Sequence, residues 1–475
     1  MIYFSNFHSI LPEFILFISG MLLLMYGAFV KNKNPSNLNI LTLLTIFIAS
    51  ISLLFVPDKS SIASSTFINS LLTKYIKLFI LILAFLVIYI SSNYLKKNQI
   101  YFFEYPVLLI FSILGMLVMI SANDLIILYI SIELQSLSLY VLVALRRGSI
   151  KGSEAALKYF ILGSIASAVI LYGCSMVYSV VGATNYEIIK QFSNQSFDNL
   201  ILSLGLVLII SGVAFKLSAA PFHMWTPDVY EGAPTSITSF FAVVPKVAGL
   251  ALLIKFMFIP FSNILLEWQT IIIFISIASM ILGAVAAMIQ TNFKRLLAYS
   301  SIGHIGYALA GVATGTISGY QSAIVYISIY VIMNIGAFSC LYLLKKDNQY
   351  KENINDLSGI SKKHPLLAIS LLIILFSLAG VPPLGGFFAK FYVFVAVLEK
   401  EMYALAIIGL LTTVMSAFYY LKIIKTIYFD DSLVTFELSK NRTAQVSVFA
   451  SCIILTTFFL YPSVLNDIVS TLFVS

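Results

Sequence analysis

The sequence predicts an all-α polytopic membrane protein of about 14 transmembrane helices, with two inverted five-helix repeats and two broken helices. Three observations lead there. Of 475 residues, 60% are hydrophobic and 10% charged, against about 45–50% and about 25% in a soluble domain. Apolar runs recur from Ile10 to Leu472, and at about 20 residues per span they fill roughly fourteen spans. Two of those runs carry proline and glycine inside them with a lysine close by. Irregular backbone at membrane depth is tolerated only where protein or a wet cavity surrounds it. These features exclude a soluble enzyme, a disordered chain and a soluble body on a single anchor.

The spans, in order, are 10–30, 38–56, 74–95, 104–121, 124–145, 155–181, 199–221, 235–259, 269–290, 296–314, 318–344, 364–399, 403–428 and 444–470. The first cation, Lys31, follows the first apolar run, so that run reads as a retained span and not a leader. Span 7 ends at Pro221, before the polar stretch Phe222-His223-Met224-Trp225-Thr226-Pro227-Asp228. Span 12 is too long for one straight helix and holds Gly380, Pro382, Pro383, Gly385 and Gly386. Lys216 lies before the first break and Lys390 after the second. Five spans separate the breaks. An odd number of helices per unit inverts the second unit, so spans 4–8 and 9–13 read as an inverted repeat. The expected organisation is an N-terminal three-helix segment (1–100), a first repeat (101–260), a second repeat (261–430) and a C-terminal helix (431–475).

The net charge is +8. No basic run reaches five residues, so nucleic acid is set aside as a partner. One set of loops holds 19 cations: Lys31, Lys33, Lys96, Lys97, Arg146, Arg147, Lys151, Lys158, Lys294, Arg295, Lys345, Lys346, Lys351, Lys362, Lys363, Lys422, Lys425, Lys440 and Arg442. The opposite set holds 5: Lys59, Lys74, Lys77, Lys190 and Lys400. The asymmetry places the first set in the cytoplasm and both termini outside. The 4 remaining cations, Lys216, Lys246, Lys255 and Lys390, lie inside apolar runs.

Glu133 is the carboxylate far from any span end. A charge there costs about 2.5–3.5 kcal/mol on the insertion scale, so it is kept only if paired, hydrated or useful. Lys216 is its leading partner; the plain alternative is a structural ion pair. Lys246 follows Pro245 at the centre of span 8. A buried lysine can take and release a proton near neutral pH, where arginine stays charged. The alternative for Lys246 is a hydrogen bond to carbonyls freed by the Pro245 kink. Lys255, near the outer end of span 8, reads as a snorkelling lysine. Lys158 stands four residues after Glu154, which suits a surface pair. His223 and His304 titrate in a range that could bridge lysines, though structural histidines fit equally. The three cysteines, Cys174, Cys340 and Cys452, form no metal or redox spacing and read as buried hydrophobes. The chain has no P-loop, no GxGxxG after a strand and no haem or iron–sulfur spacing. Its driving energy must come from an ion gradient or a partner.

Three long motifs carry a resemblance. They are Phe215-Lys216-Leu217-Ser218-Ala-Ala-Pro221-Phe222-His223-Met-Trp225-Thr226-Pro227-Asp228-Val229-Tyr230-Glu-Gly232-Ala233-Pro234, then Lys294-Arg295-Leu-Leu-Ala-Tyr299-Ser300-Ser301-Ile-Gly303-His304-Ile-Gly306-Tyr307, then Gly380-Val-Pro382-Pro383-Leu-Gly385-Gly386-Phe387-Phe388-Ala-Lys390-Phe391. Over about residues 100–430 the chain resembles the antiporter-like membrane subunits of NADH–quinone oxidoreductase, respiratory complex I. The first motif and Lys390 are similar to the N-type chains of that family, where M-type chains show glutamate. The resemblance implies a coupling pair Glu133–Lys216, a central relay lysine Lys246 and a terminal proton site Lys390. It puts Lys158 on the input side of a polar axis. It implies no cofactor in this chain; NAD, FMN, iron–sulfur clusters and quinone belong to partner subunits. It implies neighbouring membrane-arm subunits and lipid as partners, and a bacterial plasma (inner) membrane. Rival readings are a subunit of a multisubunit cation/proton antiporter, an organic-solute transporter, and a structural subunit that has lost pumping.

Overall fold

In hydrocarbon every backbone polar group must be satisfied internally, so apolar runs of this length become helices. The computed structural model describes residues 7–29, 35–58, 60–62, 65–98, 100, 102–146, 148–193, 199–346, 349–350, 352–431, 437–439 and 441–473. Thirteen helices there are long and apolar enough to cross a membrane. A fourteenth crossing is made by two half-helices, Pro365–Ala379 and Gly385–Glu399. The other spans are Leu11–Phe29, Pro35–Leu54, Leu71–Lys97, Glu104–Ser121, Leu125–Val143, Ile150–Val181, Leu200–Leu217, Thr235–Phe258, Leu265–Ala287, Phe293–Ala313, Ile317–Leu343, Tyr403–Tyr428 and Arg442–Thr457. They keep the numbering 1–14, with the broken crossing as span 12.

Polar residues at the interfaces fix where helices begin. Asp124 accepts from Ile126, Asn292 from Arg295 and Thr316 from Gly319, each satisfying a backbone N–H of a first turn. Spans 8, 10 and 11 are the interior, with 100%, 94% and 89% of their apolar windows buried, against 28% for span 14. Titratable residues on those three spans therefore lie within protein. Spans 4 and 5 pack closely, as do spans 9 and 10. A Cβ on Gly115 would come within 2.8 Å of the Ser131 carbonyl, and one on Gly283 would collide with Gly303 backbone. Small residues thus let the backbones approach at the start of both expected repeats.

The structure refines several expectations. After span 7 breaks, Trp225–Gly232 folds again into a helix, so part of the polar stretch is helical. The run 444–470 is not one helix. It passes through a short 3-10 turn at Phe458–Leu460 and restarts as Pro462–Thr471, because the residue before a proline disfavours the helical region. Two small antiparallel sheets sit in loops, Ser60–Ile62 with Phe67–Asn69 and Leu344–Lys346 with Gln349–Tyr350 and Glu437–Leu438. Lys77 and Lys294, counted among loop cations, are buried. The loop cations Lys31, Lys33, Lys59, Arg147, Lys351 and Lys440 lie outside the described residues.

Candidate functional site

The two interruptions have the same local geometry. Span 7 stops at Leu217, Ser218 takes a left-handed backbone at φ 62°, and Ala220-Pro221 is cis. Span 12 stops at Ala379, Gly380 is left-handed at φ 87°, and Pro382-Pro383 is cis. Each left-handed residue ends the helix and leaves carbonyls that the next turn would have bonded. A serine from the packing around each break satisfies a nearby amide: Ser279 Oγ accepts from Ala220 N (2.8 Å) and Ser377 Oγ from Gly386 N (3.0 Å).

A lysine donates to the end of each broken helix. Lys246 Nζ, on span 8, donates to the Leu217 carbonyl and contacts Ser218 Oγ, both at 2.6 Å. Lys390 Nζ, on the second half of span 12, donates to the Ala379 carbonyl at 3.0 Å. It also stands 4.9 Å from the centre of the Tyr307 ring. Both lysines are buried, at the negative end of a helix dipole where a cation is favoured. The carbonyl that holds Lys246 comes from span 7 and not from the Pro245 kink.

Glu133 and Lys216 do not form a direct ion pair. Lys216 Nζ donates to Ser136 Oγ at 2.7 Å, with Tyr140 OH at 3.3 Å and Ser167 Oγ at 3.5 Å. Ser136 lies one turn beyond Glu133 on the same face of span 5. Glu133 is near enough to act on the Lys216 charge, and its Oε1 is buried without a hydrogen bond. Both residues are only partly buried, unlike Lys246 and Lys390.

His304, on span 10, is wedged between two phenols. Tyr326 OH is 2.6 Å from Nδ1 and Tyr420 OH is 3.2 Å from Nε2. Tyr420 OH is in turn 2.5 Å from Ser300 Oγ. Tyr307 meets His304 edge-on and lies under Lys390, so His304 and Lys390 share one aromatic wall. The hydroxyls of Tyr230 and Tyr330 are buried beside this wall and both face the Ser301 hydroxyl.

His223 stays apart from this line. It sits in the break of span 7, half-buried, with Nδ1 unpartnered. Burial pushes its imidazole below the usual histidine range, against a backbone hydrogen bond at Pro221. Lys158 is also apart, in a partly exposed ionic network. It pairs with Glu154 (2.7 Å) and Asp228 (2.8 Å); Arg295 pairs with Asp228 (2.7 Å) and Glu231 (3.1 Å); Lys151 pairs with Glu231 (3.2 Å). Desolvation works to raise the Asp228 carboxyl, but hydrogen bonds from Lys158 and Arg295 outweigh it and hold the group below the ordinary carboxylate range. The network ties the helix Trp225–Gly232 to spans 6 and 10.

Three buried cations escaped the sequence reading. Lys255 does not snorkel; it is buried and donates to the carbonyls of Ile120 and Ala122 at 2.8 Å each, at the end of span 4. Lys77 pairs with Glu13 at 2.6 Å and donates to Asn69 Oδ1 at 2.9 Å. Lys294 pairs with Glu352 at 2.9 Å and donates to the Ala233 carbonyl at 3.0 Å. The signal for Lys255 and Lys294 was a helix end nearby that needed a donor. Among the described residues no group of three or more His, Cys, Asp or Glu is placed to hold a metal ion.

Paired interrupted helices, each ended by a lysine within a membrane bundle, define an ion-translocating membrane protein built on repeats. Residues 122–416 match the family model described as NADH:quinone oxidoreductase/Mrp antiporter, and the chain belongs to that family. It is 51% identical to the NADH-quinone oxidoreductase subunit N of Pelagibacter ubique, over 98% of this chain and 99% of that one. A chain in the structure of respiratory complex I from Thermus thermophilus is similar at a TM-score of 0.81 and 29% identity, covering 96% of this chain and 98% of the other. A chain of the Mrp complex from Dietzia reaches a TM-score of 0.84 at 18% identity, covering 98% and 96%; that likeness extends to the fold alone.

Proposed function

We propose that this chain is a proton-translocating membrane-arm subunit of NADH–quinone oxidoreductase, driven by redox chemistry in partner subunits. The high identity over the full length of a subunit N supports this reading over an antiporter subunit, whose likeness is one of fold. Cofactors (NAD, FMN, iron–sulfur clusters, quinone) reside in the partners. The partners are other membrane-arm subunits, an antiporter-like neighbour and small helical ones among them. The membrane is the bacterial plasma membrane, with both termini on the outer side.

The observation that carries the mechanism is Lys246 spanning from span 8 to the broken end of span 7. Lys216 lies one residue before that end. In the first state, the arrangement described above, Lys216 rests on the Ser136, Tyr140 and Ser167 hydroxyls under the charge of Glu133. In the second it leaves Glu133 and turns towards Lys246. A cation moving closer to Lys246 repels its proton. The proton then passes by water and hydroxyls to His304 and on to Lys390, which faces the exit. Glu133 and Lys216 are partly exposed on one flank, and a charge facing lipid is costly. A neighbouring subunit covering that flank would both shield the pair and control it. His223 and Lys158 act at the margins, His223 as a hydrogen-bonding group in the break and Lys158 on the input side. The four segments 1–100, 101–260, 261–430 and 431–475 serve as an N-terminal bundle, two relay-bearing repeats and a closing segment.

The scale is adequate. One charge crossing 100 mV needs about 2.3 kcal/mol, and a hundredfold change in proton affinity supplies about 2.7 kcal/mol. The test is NADH-driven proton pumping in inverted vesicles with assembled complex. Lys246→Ala is expected to lower electron flow and pumping together. Lys216→Ala with unchanged protons per electron would sink the relay, and sodium-dependent transport without NADH would favour the antiporter reading.

A further inference from the structure

A groove runs along the lipid-facing side of spans 3, 11 and 14. Its volume is about 390 Å³, and its walls include Leu83, Ile90, Ile332, Ile335, Val446 and Ala450. Arg442 and Thr443 close one end. At about 1.5 Å per residue, the lining from Arg442 to Ile454 is about 18 Å long. That is the depth of one leaflet of a hydrocarbon core about 30 Å thick. The groove therefore opens at the lysine-rich interface and stops near the midplane.

The mouth is positively charged. Arg442 begins span 14 and makes no ion pair among the described residues. Asn93 Nδ2 donates to Asn441 Oδ1 at 3.0 Å, tying the end of span 3 to the start of span 14. Lys97 Nζ donates to Ser439 Oγ at 3.1 Å, beside the same corner. Lys345 stands close enough to Lys97 for the two charges to repel. The start of span 14 adds the positive end of its helix dipole. An apolar slot one leaflet deep, with Arg442 on its rim and Lys97, Lys345 and a helix start beside that rim, is complementary to one kind of molecule.

We propose that this groove binds an anionic diacyl phospholipid, its phosphate on Arg442 and Lys97 and one acyl chain between spans 3, 11 and 14. A basic pocket between membrane helices is a recurrent anionic-headgroup site. The acyl chain fills the slot and joins the N-terminal bundle to the second repeat through span 11. This site is independent of the proton relay.

The test uses the purified complex in detergent with a phosphatidylglycerol carrying a photoreactive group midway along one acyl chain. Wild type is expected to be labelled on peptides 79–90 and 442–454. Unlabelled phosphatidylglycerol should compete, while phosphatidylcholine and inorganic phosphate should not. Arg442→Glu should cut labelling about tenfold or more. Ala450→Trp should abolish it with the cations intact. Absence of label on those peptides in wild type overturns the proposal. So does equal competition by phosphatidylcholine, displacement by inorganic phosphate alone, or cross-linking of Ala450→Cys to a neighbouring subunit. The wild-type labelling decides the matter even if a variant fails to assemble.

Discussion

The breaks in spans 7 and 12 share a backbone and differ in where the lysine comes from. At span 7 the cap arrives from another helix, since Lys246 belongs to span 8. At span 12 it arrives from the same crossing, since Lys390 belongs to its second half. A cap supplied by a different helix senses relative movement of the two helices. A cap supplied in sequence holds its own break together and moves with it. The difference suits the proposed roles, a central site responding to Lys216 and a terminal site holding a proton until release.

The sharpest way to break this comparison is to keep the caps and remove the proton chemistry. Arginine can donate to the same carbonyls and stays charged. Lys246→Arg is expected to assemble and to abolish NADH-driven pumping. Lys390→Arg should do the same, with an added loss of stability because its slot is closed by Tyr307 and Gly380. Wild-type pumping in either variant would reduce that lysine to a structural cap.

The next effect separates the two left-handed residues. A Cβ on Gly380 would sit 3.0 Å from Lys390 Cδ and 3.2 Å from its Nζ. A left-handed non-glycine residue also costs about 1–2 kcal/mol. Gly380→Ala should therefore lower thermal stability and displace Lys390. Ser218→Gly relaxes the backbone and removes the 2.6 Å contact with Lys246, two effects of opposite sign. Its expected change in stability is smaller than that of Gly380→Ala, and a larger one would mean that the Ser218 hydroxyl dominates the break.

Much of this was legible before the structure. Proline and glycine inside apolar runs marked both breaks, because helix geometry forbids them there without support. Lys246 and Lys390 were legible because nothing polar surrounds them in sequence. Lys77 and Lys294 were not, since each lies near a span end where a lysine ordinarily reaches water. Their burial depends on Glu13 and Glu352, which are distant in sequence. Lys255 was misread for a similar reason: a snorkelling lysine and one that ends a neighbouring helix have the same sequence signature. The turn of Lys216 onto Ser136 was also out of reach, because charge alone favoured Glu133, and the choice between them depends on side-chain placement across three spans.

The next test concerns the aromatic wall. Lys390 lies over the Tyr307 ring, a contact of about 0.5–2 kcal/mol, while Lys246 has a carbonyl and a hydroxyl instead. Tyr307→Leu should weaken the hold on a charged Lys390 by that order and shift the pH profile of pumping. Tyr307→Phe keeps the ring and should restore the profile. If both variants shift the profile equally, the phenol hydroxyl matters and the ring does not.

The smallest effect lies at the ionic network around Asp228. Helix Trp225–Gly232 has only eight residues, whereas each half of span 12 has fifteen. The ionic network at Asp228 and Glu231 adds to the packing of its buried face. Its members are partly exposed, so its worth is about 0–1 kcal/mol. The Asp228 carboxyl is held below its ordinary value, near 3.9 in an unfolded chain. Its contribution is thus fully present above that value and disappears as pH falls through the lower folded one. Hydrogen exchange of peptide 225–232, corrected for intrinsic rate, should be flat from pH 8 to 5. Asp228→Asn at pH 7 should speed it by up to about fivefold. Loosening of the wild-type peptide between pH 8 and 6 would mean that a different group, with His223 the nearest titratable candidate in the break, governs the hold on this half-helix.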